Sequence, residues 1–152
     1  IRISKEFGLN TTIDHATEAY LIPKQVKESG YNLIIGPTLG AASKYELVNK
    51  TFESGRILAE NDVEFAIMTD HPVITLDTTL VQAALFVKEG LSEDKALEAL
   101  TITSAKLNGI DDRVGSLEVG KDADVVIWDG PIFDIMTRPA YVIINGEVIH
   151  KR

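Results

Sequence analysis

Three short runs of strand-forming residues, separated by segments of helical period, limit how this chain can fold. The runs span residues 10–14, 32–36 and 64–69, and each is followed directly by an ionisable residue or by proline. Helical patterns over residues 20–29 and 51–60 fill the intervals. Strands that alternate with helices in this way are joined by crossover connections and run parallel. The sequence therefore predicts an α/β fold with three parallel strands, adjacent in chain order.

The apolar positions of these segments predict which side chains are buried. The helix over residues 20–29 is expected to bury three apolar side chains, which are Leu21, Ile22 and Val26. The strands are expected to share an inner face made by Ile13, Ile35 and Met68.

Beyond residue 70 the pattern predicts three further helices. They are expected over residues 79–89, 93–100 and 103–108. Ser92 and Thr103 are residue types that favour the N-cap position, so we expect them to begin the second and third of these helices.

A change of composition near residue 114 predicts a different architecture for the rest of the chain. Short β-type runs are punctuated there by glycine, and two of them flank Asn145-Gly146. That dipeptide is a strong signal for a two-residue hairpin. We therefore divide the chain into a partial βα segment with C-terminal helices, residues 1–113, and a β-rich element, residues 114–152.

Composition excludes several classes of function. A formal net charge of −8 argues against binding to nucleic acid or to an anionic membrane, since both partners attract clustered Lys and Arg. The sequence contains no Cys, which rules out thiolate chemistry and fits a reducing compartment. No apolar run approaches the roughly 18 residues of a membrane span. We expect a cytoplasmic protein with neither a nucleic-acid nor a membrane partner.

Residues capable of chemistry stand at the ends of the strand runs. His15 follows the first run and Asp70 follows the third. Functional side chains of parallel α/β proteins collect at the carboxyl ends of strands, so these two can address one ion or one water. An imidazole and a carboxylate suit Zn²⁺ and related divalent ions, although a tetrahedral site needs more than two ligands. His15 and Asp70 are therefore predicted as metal ligands and catalytic residues, with further ligands supplied from elsewhere.

Structural roles compete with this interpretation. A His after a strand is commonly a surface or capping residue, and Asp70 before His71-Pro72 is also a typical turn former. His71 either contacts substrate or is solvated. Asp14 and Glu18 either orient His15 or are solvated charges. Structural roles in a hairpin strand or in turns are assigned to His150, Asp111, Asp112, Asp122 and Asp124.

Four stretches of the chain form a pattern shared with a known enzyme family. They are residues 12–19 (TIDHATEA), 43–47 (SKYEL), 68–73 (MTDHPV) and 114–124 (VGSLEVGKDAD). With these motifs the chain resembles the C-terminal portion of amidohydrolase-superfamily enzymes, particularly imidazolonepropionase-like amidohydrolases. The resemblance implies about three βα units of a metal-dependent hydrolase TIM barrel, followed by a small β-sandwich element.

The resemblance also implies roles for individual residues. In that family the fold is a (β/α)₈ barrel, in which His15 would follow the sixth strand and Asp70 the eighth. Asp70 would bind a divalent metal, zinc first with iron or manganese as alternatives, and carry a proton to the leaving nitrogen. His15 would bind a second metal or hydrogen-bond to substrate and water, and His71 would contact substrate. The implied reaction is hydrolysis of a non-peptide C–N bond in a small linear or cyclic amide.

Parts of the family's site have no counterpart in this sequence. The His-x-His motif after the first strand and the ligand after the fifth are absent, and a barrel needs roughly 200 or more residues. We therefore expect a fragment of a longer enzyme, inactive on its own. The alternatives are a non-catalytic truncated α/β domain and one subunit of a split enzyme. Because an open barrel segment leaves a strand edge and an inner face uncovered, we also expect a homo-oligomer.

Overall fold

Two small sheets organise the chain, and the computed structural model describes all of residues 1–152. The helices are α1 Arg2–Phe7, α2 Pro23–Ser29, α3 Glu53–Glu60, α4 Thr79–Lys88, α5 Glu93–Leu100 and α6 Ile102–Asn108. The strands are β1 Thr12–Ile13, β2 Asn32–Ile35, β3 Ala66–Ile67, β4 Val125–Trp128, β5 Pro139–Ile144 and β6 Glu147–Lys151. Short 3₁₀ turns lie at Ala19–Leu21, Tyr45–Leu47 and Leu76–Thr78.

The first sheet is parallel and has the order β1-β2-β3. Thr12 is paired with Asn32, and Ile34 with Ala66. The predicted direction and order of the strands are therefore confirmed. The first and third strands are shorter than the predicted runs at both ends, and at its carboxyl end each run continues into the turn that bears a candidate site residue.

The core lies on the helix-covered face of this sheet. Leu33 and Ile35 are fully buried there, and Ile13 shares their face because it is paired with Leu33 in parallel register. The prediction that Ile13 and Ile35 line an inner face with Met68 is therefore wrong. Ile34, which is only partly buried, occupies the opposite face instead. With bulky apolar residues at both 34 and 35, alternation alone does not tell which one faces the helices.

Helices α3 and α4 pack closely over this face. Phe86 of α4 is the largest fully buried side chain, and its ring meets that of Phe52 edge-on, with centroids 5.1 Å apart and planes at 73°. Gly55 of α3 faces the same ring, since a Cβ built there would lie 2.8 Å from Phe86 Cδ1. The lack of a side chain at Gly55 of α3 thus leaves room for the ring of Phe86 on α4.

Helix α2 is shorter than predicted. It begins at Pro23, which suits the first turn of a helix because proline lacks the N–H that would be unpaired there. Val26 is buried as predicted, but Leu21 and Ile22 are 54% and 47% exposed, so the prediction that they face inward is wrong. They precede Pro23, and the helical period does not extend across it.

Helix α5 begins as predicted, whereas α6 does not. The Oγ of Ser92 accepts a hydrogen bond from Lys95 N at 3.3 Å and so caps α5. Helix α6 begins at Ile102, with Thr101 in the N-cap position, so the expectation that Thr103 is the N-cap is wrong. Thr103 is instead buried within the helix.

We expect Ser92→Ala to lower the free energy of unfolding by about 1 kcal/mol, because the amide at the start of α5 loses its capping oxygen. Urea unfolding monitored by circular dichroism measures the change. Ser43→Ala, at an exposed loop position, is the control and should alter stability by less than about 0.5 kcal/mol. Equal midpoints for the two variants would contradict the capping role.

The second sheet is antiparallel and has the order β4-β5-β6. Asn145 and Gly146 join β5 to β6 with φ values of 51° and 81°, and Ile144 is paired with Glu147 across the turn. Positive φ at both central residues defines the favoured two-residue hairpin, so the predicted hairpin is confirmed. The fold is therefore α/β with a small antiparallel sheet, and the predicted β-sandwich element is a single three-stranded sheet in residues 114–152. The division of the chain into residues 1–113 and 114–152 stays a prediction.

None of the helices described above is both long enough and apolar enough to cross a membrane.

Candidate functional site

His15 and Asp70 lie side by side at the carboxyl edge of the parallel sheet. Their nearest atoms, His15 Nε2 and Asp70 Oδ2, are 3.8 Å apart. The two side chains are 51% and 37% exposed, so solvent and small molecules can reach them. Strand β2 lies between the strands that precede them, and the pair thus bridges the ends of β1 and β3. The structure brings the two residues together, while their metal-binding and catalytic roles stay predictions.

Both residues have a left-handed backbone. The φ angle is 52° at His15 and 54° at Asp70. Residues other than glycine adopt this conformation rarely, at a cost on the order of 1–3 kcal/mol each, and such strain concentrates at functional sites. A left-handed residue therefore follows both strands, at the positions that the sequence predicted as site residues.

Asp14 is the carboxylate next to His15. Its Oδ1 accepts a hydrogen bond from His15 N at 2.9 Å, and its Oδ2 is 4.0 Å from His15 Nε2. Asp14 therefore fixes the backbone amide of His15, and it makes no hydrogen bond to the ring. Glu18 makes a different contact, since its Oε1 accepts a hydrogen bond from Asn49 N at 3.0 Å. Glu18 thus fastens the loop after β2 to the loop after β1.

Tyr20 strengthens the same connection between the two loops. Its hydroxyl donates a hydrogen bond to Asn49 O at 2.7 Å. Burial, and then the negative charges of Glu18 and Glu53, raise the pKa of Tyr20 above its ordinary value. Because the folded state favours the protonated hydroxyl, this contribution to stability is complete at neutral pH and is lost as the pH rises through the raised pKa.

The turn after Asp70 is closed by local hydrogen bonds. Val73 N donates to Asp70 O at 2.8 Å, and Ile74 N donates to Thr69 O at 3.3 Å. His71 is exposed, and its Nδ1 accepts a hydrogen bond from Leu76 N at 3.3 Å. His71 thus helps to close the loop that follows Asp70, and its substrate-binding role stays a prediction.

Gln82 of α4, which no motif in the sequence singles out, also contacts the strand ends at this site. It is fully buried, and its Nε2 donates a hydrogen bond to Met68 O at 2.7 Å. The available sequence signal is its position four residues before Phe86, on the buried face of the helix. A polar residue on such a face must find hydrogen-bond partners, although the sequence does not say which ones.

The geometry of the His15–Asp70 pair is compatible with one divalent ion. Zinc bonds to nitrogen and oxygen are about 2.0–2.2 Å long, so two of them together can span the 3.8 Å between His15 Nε2 and Asp70 Oδ2. One imidazole nitrogen and one carboxylate oxygen are donors that zinc accepts. No group of three His, Cys, Asp or Glu side chains among residues 1–152 is placed to hold an ion. The pair thus fits a metal as two members of a larger ligand set.

Two of the remaining acidic candidates have structural contacts in the β-rich element. Asp122 Oδ2 accepts a hydrogen bond from Arg113 Nη2 at 2.6 Å, and Asp124 Oδ1 accepts one from Asn145 N at 2.9 Å. The structural role predicted for Asp122 and Asp124 is confirmed.

Comparison with known proteins gives the family of the chain. Residues 6–149 match the amidohydrolase family. The chain belongs to this family. A solved amidohydrolase from Thermotoga maritima MSB8 superposes on the present amidohydrolase chain with a TM-score of 0.94 and 42% identity, over 99% of this chain and 39% of that one. The resemblance inferred from the four motifs is thus confirmed at the level of the family.

Two further relatives extend the comparison. An imidazolonepropionase from Shewanella baltica (strain OS185) is 54% identical over 67 residues, which are 40% of this chain and 16% of that protein. An adenosine deaminase from Xanthomonas campestris, solved with bound zinc, has a TM-score of 0.70 and 22% identity over 97% of this chain and 39% of that one, a likeness of fold alone. The amidohydrolase chain spans between 9% and 46% of the length of the relatives it matches.

Proposed function

We propose that this amidohydrolase chain supplies His15 and Asp70 to the active site of a metal-dependent hydrolase of non-peptide C–N bonds. The observation that carries the proposal is the 3.8 Å approach of His15 Nε2 to Asp70 Oδ2, with a left-handed backbone at both residues. Membership of the amidohydrolase family supports hydrolase function, and the particular bond and substrate are also part of the proposal.

Asp70 and His15 would hold a divalent ion, zinc before iron or manganese. When bound, such an ion acidifies water and polarises a carbonyl. The Asp70 carboxylate takes the proton of the attacking water and delivers it to the leaving nitrogen, as a positioned general base and then acid. Where His15 is not itself a ligand, its ring hydrogen-bonds to water or substrate, and Asp14 fixes the backbone from which the ring projects.

His71 is proposed to contact the substrate. Its Nδ1 accepts the hydrogen bond from Leu76 N, so the neutral ring carries its proton on Nε2. That N–H is available to donate to a substrate oxygen, and the exposure of His71 beside Asp70 supports this role.

The proposed substrate is a small amide, and a cyclic amide is the first choice. The 54% identity over 67 residues with an imidazolonepropionase supports this choice. The chain is proposed to be part of a longer protein, called the intact protein below. The test is an assay of this intact protein, loaded with Zn²⁺, against imidazolone, hydantoin, dihydropyrimidine and open-chain amide substrates. Ring opening or amine release that is lost in Asp70→Asn supports the proposal. Absence of C–N hydrolysis across the set would contradict it.

A second candidate function is that of one subunit of a split enzyme, or of a non-catalytic α/β domain. The observation in its favour is that residues 1–152 bring only two candidate ligands together and contain three parallel strands. Mixing the purified chain with a polypeptide that carries the other barrel strands tests this candidate. Activity that appears only in the mixture supports the split enzyme.

We expect the isolated chain to self-associate. The outer edges of β1 and β3 are unpaired in the described sheet, and α1 exposes Ile3 and Phe7, 61% and 68% respectively. Unpaired edges and apolar surface both favour contact with another copy. Light scattering at increasing protein concentration measures the mass. A constant monomer mass at high concentration would contradict this expectation.

A further inference from the structure

We propose that Gln82 is a positioning residue that fixes the turn bearing Asp70. The inference deepens the proposed function, because it concerns the placement of Asp70, but its contacts belong to the fold and can be tested without a metal or a substrate.

Gln82 connects two loops through a single side chain. Its Nε2 donates a hydrogen bond to Met68 O at 2.7 Å, at the end of β3. Its Oε1 accepts hydrogen bonds from Thr38 N at 2.8 Å and from Leu39 N at 3.2 Å, in the loop after β2. Burying an amide group without partners is costly, so the fully buried position of Gln82 is stable only while these bonds are made.

The backbone of Met68, two residues before Asp70, positions the turn that bears Asp70. Its N–H donates to Ile35 O at 3.0 Å while its carbonyl accepts from Gln82, so the backbone is bonded to a neighbour on both sides. One buried residue, Thr69, separates this anchored peptide from Asp70. A shift of the Met68 carbonyl is therefore passed on directly to the strained turn at Asp70.

In the loop after β2, Gly36 leaves room for the Met68 carbonyl. A Cβ built on Gly36 would clash with Met68 O and lie 3.3 Å from Gln82 Nε2. The φ angle of Gly36 is 122°. Only glycine tolerates both the close approach and this backbone conformation. Gly36 and Gln82 thus confine the Met68 carbonyl from two directions.

Burial on the inner face of α4 does not by itself require glutamine at position 82. Position 82 lies on the same buried face as Ala83 and Phe86, where an apolar side chain would fill the space without needing any partner. What glutamine adds is the link between the loop after β2 and the end of β3, two residues from Asp70. This link is the reason for giving Gln82 a role in positioning the Asp70 turn.

The first test is amide hydrogen exchange in the unmodified intact protein. Val73 N and Ile74 N close the Asp70 turn and do not bond to Gln82, whereas Thr38 N and Leu39 N do. If Gln82 holds the two loops as one unit, these four amides exchange through a common opening with the same dependence on denaturant. A separate opening for Val73 and Ile74 would overturn the inference, and this result needs no variant that might fail to fold.

The second test compares Gln82→Met and Gln82→Glu with Ser54→Ala. Methionine keeps the size of the side chain and removes all its hydrogen bonds, and glutamate keeps the acceptor for Thr38 and Leu39 but loses the donor to Met68 O. We expect exchange at Val73 and Ile74 to become about tenfold faster in both Gln82 variants, the factor for one lost hydrogen bond.

Ser54→Ala is the matched control, since Ser54 is buried and its Oγ donates to Thr51 O at 2.8 Å in another part of the fold. It should lower stability without changing exchange at Val73 relative to global unfolding. Faster exchange at Thr38 and Leu39 alone in Gln82→Met would show a purely local role for Gln82 and overturn the inference.

A Co²⁺ titration separates this inference from the proposed function. In the intact protein, Gln82→Met should weaken Co²⁺ binding by about 10–100-fold. Replacing a residue that positions a metal ligand typically has an effect of this size. Wild-type protein that binds no Co²⁺ would contradict the metal site, and the exchange data would still decide the role of Gln82.

Discussion

Replacing Asp70 with asparagine is expected to lower kcat of the intact protein on the order of 10³-fold or more. Asparagine keeps the shape of the side chain but removes the negative charge that a divalent ion needs and the group that accepts and returns the proton. The backbone at position 70 is left-handed, which asparagine tolerates well, so the turn should survive the change. Steady-state kinetics on whichever amide of the proposed set is hydrolysed measures the loss.

Asp77→Asn is the matched control for this variant. Asp77 is exposed and lies in the 3₁₀ turn Leu76–Thr78, in the segment that follows Asp70. The same chemical change there should leave kcat within about twofold of wild type, since the residue contacts neither His15 nor Asp70. Equal losses in the two variants would mean that the segment, and not the Asp70 carboxylate, sets the rate.

The largest expected effect on stability comes from Phe86→Ala, which should lower the free energy of unfolding by about 3–5 kcal/mol. Phe86 is fully buried, contacts Phe52 edge-on, and fills the space that Gly55 leaves on α3. The loss combines the transfer of the ring to water with the cavity left between α3 and α4. Urea unfolding monitored by circular dichroism measures it.

Phe7→Ala is the control for the core variant. Phe7 is 68% exposed, so its removal should change stability by less than about 0.5 kcal/mol in the monomer. A similar loss for the two variants would contradict the assignment of the core to the α3–α4 face of the sheet.

The sequence predicted the fold well where one local rule decided the outcome. The ends of the strand runs located His15 and Asp70 because parallel strands bring their carboxyl ends to one edge. Asn145-Gly146 located the last hairpin because few other residues adopt its two positive φ angles. Ser92 marked a helix start because its hydroxyl meets a backbone amide three residues on.

Features that depend on packing could not be predicted in this way. Ile34 and Ile35 are equally apolar, and only the helices over Ile35 decide which one is buried. The link made by Gln82 joins residues far apart in the sequence, and no local pattern predicts which backbone groups it meets.

The backbone strain at His15 and Asp70 could not be predicted from the sequence either. Neither residue is glycine, and only the structure shows that both have a left-handed backbone. The sequence therefore predicted the residues of the candidate site, and the structure shows that His15 and Asp70 lie side by side.

The central claim, that His15 and Asp70 form part of a metal site, is tested most directly by calorimetric titration of Zn²⁺ into metal-free protein. The samples are the intact protein, its Asp70→Asn and Asp77→Asn variants, and the isolated 152-residue chain. We expect stoichiometric binding by the intact protein and by Asp77→Asn, strong loss in Asp70→Asn, and weak binding by the isolated chain, because two ligands displace few waters from the ion. Tight binding by the isolated chain that is lost on Asp70→Asn would show that the rest of the ligand set also lies in these residues. Binding that Asp70→Asn leaves unchanged in the intact protein would contradict the claim.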